Sequence, residues 1–63
     1  MKEAHIVVNG VTLTEAQSMA VRVAIESFDS DLRADGLGKD ETGAAISKAY
    51  MERIEEIRSA LYQ

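Results

Sequence analysis

The chain has 63 residues, 7 of them basic and 11 acidic, for a net charge of −4 with its one histidine neutral. It contains no cysteine, which excludes a disulfide framework and a cysteine zinc site. No run of about 18 apolar residues exists to span a membrane, and 46% hydrophobic residues are too many for a disordered acidic tail.

The first element predicted is a β-hairpin over about residues 5–13. Two β-branched runs flank Asn9-Gly10, a pair suited to a type I′ turn because both positions need positive φ. That turn pairs Val8 with Val11, Val7 with Thr12 and Ile6 with Leu13. Paired residues share a face, so Ile6, Val8, Val11 and Leu13 form one apolar surface. An isolated hairpin is marginal in water, so this surface is expected to cover the helices that follow.

A helix is predicted next, over about residues 14–35. Thr14 and Gln17 have the spacing of a capping box, and Glu15 suits the positive first turn. Gly36 supplies a left-handed stop, with Leu37 and Leu32 placed to touch in a Schellman motif. A second helix follows over about residues 42–62, with Asp40 or Thr42 as its cap. The short connection predicts an antiparallel pair. The fold class is thus α+β, a single ββαα domain over residues 1–63.

The helix faces carry the packing argument. On the first helix Val21, Ile25, Phe28 and Leu32 form a bulky stripe. A second stripe is small: Ala16, Ala20, Val23, Ser27, Ser30 and Ala34. Glu15, Ser18, Arg22, Glu26, Asp29 and Arg33 fill the narrow polar sector that remains. A helix apolar over so much of its circumference is covered from more than one direction. Ala16, Ala20, Val23 and Ser27 are therefore the candidate contact with a second subunit. On the second helix the expected packing stripe is Ile46, Tyr50, Ile54, Ile57 and Leu61. Met51, Glu55, Arg58 and Tyr62 line up away from it. This row resembles a binding hot spot in composition and is the candidate partner-binding surface.

No catalytic group is expected. His5 opens a predicted strand without a positioned partner, so it reads as a surface histidine. Asp31, Asp35 and Gly36 suggest a calcium loop, but Arg33 and Thr42 fall where ligands are required. Gly36-Leu37-Gly38-Lys39 lacks the preceding strand and the Ser or Thr of a phosphate loop. Lys48, Arg53 and Arg58 alternate with Glu52, Glu55 and Glu56, which argues against direct DNA binding. No cofactor or metal is expected.

A domain of this size buries only about 60% of its unfolded surface, so a homodimer is expected to supplement the core. Met1-Lys2-Glu3-Ala4-His5 lacks the apolar core of a signal peptide, so a cytoplasmic setting is expected. The run Val11-Thr12-Leu13-Thr14-Glu15-Ala16-Gln17-Ser18-Met19-Ala20-Val21-Arg22-Val23-Ala24 resembles short uncharacterised proteins encoded by tailed bacteriophages. The resemblance carries no ligand contacts. It implies an accessory protein that acts by binding, such as an inhibitor of a host defence system. Two other readings stay open: an oligomer that sequesters a small nucleotide, and a transcriptional or antitoxin-type accessory dimer.

Overall fold

A computed structural model describes residues Lys2–Gln63. Strands β1 (Val7–Val8) and β2 (Val11–Thr12) form an antiparallel hairpin, followed by helices α1 (Glu15–Ala34) and α2 (Glu41–Leu61). The architecture is ββαα, as the sequence predicts.

The turn follows from its two residues. Asn9 has φ 49° and Gly10 φ 79°, the left-handed pair that a type I′ turn requires. The register is Val7 opposite Thr12 and Val8 opposite Val11, and Leu13 N–H donates to the Ile6 carbonyl at 2.9 Å. The expected cover over the helices does not form. Val8 and Val11 are 51% and 62% exposed, and the hairpin lies clear of both helices. The reason is geometric. Each strand is two residues long, and only Leu13 separates β2 from the helix cap. There is no length of chain with which to fold back, so only Ile6 and Leu13 are half-buried.

Helix α1 opens on the capping box. Gln17 N–H donates to Thr14 Oγ1 at 3.1 Å and Thr14 N–H donates to Gln17 Oε1 at 2.9 Å. Gly36, at φ 70°, ends it. The Leu37 N–H, which a Schellman motif would return to Leu32, donates instead to Ser47 Oγ on α2 at 2.8 Å, and Leu37 is exposed. Asp40 caps α2 by accepting from Gly43 N–H at 2.7 Å. A Cβ on Gly43 would stand 2.7 Å from Gly38 Cα, so the glycine is what lets α2 start this close to the connection.

The two helices pack antiparallel, on faces rotated from those predicted. Leu32 and Ile54 are the buried hydrophobics of the seam, at 3% and 2% exposure. Beside them lie Ser18 and Asp29 from α1 and Ser47 from α2. On α1 the seam has rotated toward the polar sector. Val21, Ile25 and Phe28 are left half-buried at its margin. On α2 only Ile54 of the expected stripe is buried, Leu61 is half-buried, and Ile46, Tyr50 and Ile57 are exposed. The anchors explain the rotation. Ser47 ties the connection to α2, Gly43 admits it closely, and Arg58 of α2 reaches Glu26 of α1.

Gly43→Ala tests this close approach. In an ordinary helix the change stabilises by about 0.5–1 kcal/mol. Here the added methyl meets backbone and is expected to destabilise by about 1–3 kcal/mol, read from the urea midpoint. A raised midpoint would show that Gly43 does not set the approach of α2.

Candidate interaction surfaces

The helix pair has two broad sides, and its side chains sort between them by chemistry. One side is a chain of charges. Arg33 Nε lies 3.0 Å from Asp29 Oδ2, and Arg33 Nη2 lies 3.3 Å from Glu55 Oε1. Glu55 Oε1 also accepts from Arg58 Nη1 at 3.1 Å, and Arg58 Nε donates to Glu26 Oε1 at 2.7 Å. The Tyr62 hydroxyl donates to the same Glu26 oxygen at 3.3 Å. The Glu26 hydrogen bond, with Glu55 behind it, holds the Arg58 guanidinium above its ordinary pKa.

This network relocates the row Met51, Glu55, Arg58 and Tyr62. The sequence sets the row apart from the packing face. In the fold Met51 and Arg58 are half-buried along the seam, and Arg58 and Tyr62 are engaged by Glu26 across it. Glu55 and Tyr62 remain exposed. Asp29, placed in the solvent sector by periodicity, is buried. Its Oδ2 is held by Arg33, and its Oδ1 has no hydrogen-bond partner among the described residues.

The opposite side is apolar. Phe28 and Tyr50 meet edge to face across the seam, with ring centroids 5.4 Å apart. Around them Ile46 and Ile57 are 43% and 40% exposed, and Val21 and Ile25 are half-buried. The small-residue stripe is a third surface. Ala16, Ala20, Val23 and Ser27 are all exposed on α1, on the side turned away from α2.

The N-terminal segment is tied down by a pair that periodicity could not show. Arg22 Nε donates to Glu3 Oε2 at 3.0 Å and Arg22 Nη2 donates to Glu3 Oε1 at 3.0 Å, a two-pronged contact. The Glu3 side chain is almost covered, and Arg22 lowers its carboxyl pKa below the ordinary value. Two shallow clefts flank this segment. One, of about 150 Å³, lies between Glu3, Arg22 and the C-terminal Leu61 and Tyr62. The other, of about 220 Å³, is bordered by His5, Leu13 and Ser18. His5 itself is exposed. Among the described residues no group of three or more His, Asp or Glu side chains is placed to hold a metal ion. No helix there is long and apolar enough to cross a membrane.

No protein family, curated protein sequence or solved structure matches the chain.

The Glu3–Arg22 pair makes a pH prediction. A carboxyl with a lowered pKa in the folded state stabilises above the ordinary carboxylate range, and that contribution is lost as pH falls through the lowered value. The urea midpoint of the wild type is therefore expected to exceed that of Glu3→Gln at neutral pH, and the gap is expected to close as pH falls through the lowered value. A gap absent at neutral pH, or one that persists in acid, would assign the tether to another group.

Proposed function

We propose that this chain is a small, acidic, non-enzymatic binding protein that acts by protein–protein contact. The observation that carries the reading is the balance of its apolar side chains. Two large hydrophobics, Leu32 and Ile54, are buried, whereas ten are exposed among the described residues. The exposed ones gather into patches: Val8 and Val11 side by side on one face of the hairpin, and Ile46, Tyr50 and Ile57 on α2. Scattered single hydrophobics are ordinary on a protein surface, but contiguous ones mark contact surfaces. The ion-paired side, with each arginine matched to a carboxylate, suits a protein partner better than a nucleic-acid backbone. The resemblance of Val11–Ala24 to phage-encoded accessory proteins supports a bacterial host protein, such as a defence component, as the target.

Native mass spectrometry of the tagged chain, purified gently from bacterial cells carrying an intact defence system, tests the reading. The expected result is a stoichiometric complex with one host protein. Release of a nucleotide in place of a protein would overturn the reading in favour of sequestration.

A further inference from the structure

We propose that the apolar side of the helix pair is covered by a second copy of this chain, two hairpins closing face to face into a four-helix bundle. The inference rests on the reading of the chain as a contact protein and names the first contact it makes.

Surface area supports a second copy. The chain exposes 4830 Å². A compact folded monomer of 6.9 kDa exposes about 4,000 Å². The surplus of about 800 Å² is close to what one partner contributes to an interface of standard size. The dimensions agree. A helix of 20 residues is about 30 Å long, and the molecule is 22 Å across its middle axis and 17 Å thick. Two helices side by side thus present a face of about 600 Å². Two such faces in contact reach about 1,200 Å², the lower bound for a stable association.

The side chains select this face over the others. Phe28, Tyr50, Ile46 and Ile57 are its bulk. The charged side is already satisfied within the chain, so covering it would desolvate ion pairs without new partners. The charges that border the apolar side have opposite signs, Asp31 on α1 and, on α2, Arg53, whose only partner among the described residues is a loose, exposed contact with Glu56 at 3.8 Å. The pairs Glu26–Arg58 and Leu37–Ser47 fix the helix register, and that register sets Asp31 and Arg53 at the same height. A two-fold axis along the hairpin lays α1 of one copy over α2 of the next. Asp31 of each copy then faces Arg53 of the other. A self-complementary surface of this kind favours a second copy over an unrelated helix.

Sedimentation velocity across the micromolar range tests the proposal, with far-ultraviolet circular dichroism to report helicity. The wild-type chain is expected to sediment at dimer mass. Tyr50→Glu puts a carboxylate on the face, giving up the edge-to-face contact with Phe28 but leaving the buried Leu32 and Ile54 untouched, and should weaken the dimer about 100-fold or more, to monomer mass. Should it lose helicity, Tyr50→Gln, which removes the ring without adding charge, is read in its place with the same sign. Val23→Glu, diametrically opposite Leu32 on α1, is expected to stay dimeric. A monomeric wild type, or a dimer that survives Tyr50→Glu and Tyr50→Gln, would overturn the proposal. So would a dimer broken by Val23→Glu alone, which would move the interface to the small-residue stripe on the side turned away from α2. The two readings fail separately. A monomer that captures a host protein ends the dimer and keeps the binding function, and a dimer that captures none does the reverse.

Discussion

A helical hairpin gives each of its helices one neighbour. The seam between two helices can cover a stripe of roughly 100° on each, and everything outside it faces solvent or another molecule. In this chain α1 is apolar over far more than one stripe, and the β-hairpin, two residues per strand, cannot reach over it. Which stripe enters the seam therefore decides what the molecule displays. The rotation of the helices about their own axes is the quantity on which the rest of the structure depends.

That rotation is set by small and polar groups. At the connection, Gly36 turns the chain and Ser47 accepts the Leu37 N–H, while Gly43 lets α2 lie against Gly38. Each of these contacts tolerates one orientation of α2. Farther along, Arg58 reaches Glu26 and Arg33 reaches Glu55 on the same side. These pairs are part-exposed, and such pairs contribute about 0.2–1 kcal/mol each. They orient more than they stabilise. Together they turn the polar sector of α1 into the seam and leave Phe28 and Tyr50 at its edge.

The parts of the fold visible in the sequence are those decided by neighbours in the chain. Asn9-Gly10 dictates its own turn through φ, Thr14 and Gln17 cap α1 through bonds three residues apart, and Gly36 stops it. The helical phase is different. Periodicity reports how apolar residues are arranged around a helix, and it assumes that the bulkiest stripe meets the nearest helix. Leu32 and Ile54 obey that rule, but Val21, Ile46, Tyr50 and Ile57 do not. Ser18, Asp29 and Arg58 fall outside the apolar stripes by periodicity, yet the seam buries the first two and engages the third. The Glu3–Arg22 pair joins groups 19 residues apart, and no spacing rule connects an extended segment to a helix. The Arg58–Glu26 pair, 32 apart, depends on the register of α2 against α1, which no spacing within either helix encodes.

The hydrophobics left outside the seam are not scattered. Instead Phe28 and Tyr50 touch across the seam, and Ile46 and Ile57 extend the same side along α2. The charged groups have separated to the other side with equal order. A seam built from Ser, Asp and Arg is specific in geometry and weak in hydrophobic gain, because it excludes little apolar area from water. A chain of 63 residues is marginal at best on its own core, and Leu32 with Ile54 is a thin one. In the proposed dimer the seam is a template: its polar groups fix the shape within one copy, and burial of the flat apolar side between copies would supply the stability that the single chain lacks. On that proposal, the residues of the α2 stripe that the single chain leaves exposed, Ile46, Tyr50 and Ile57, are the ones a second copy covers.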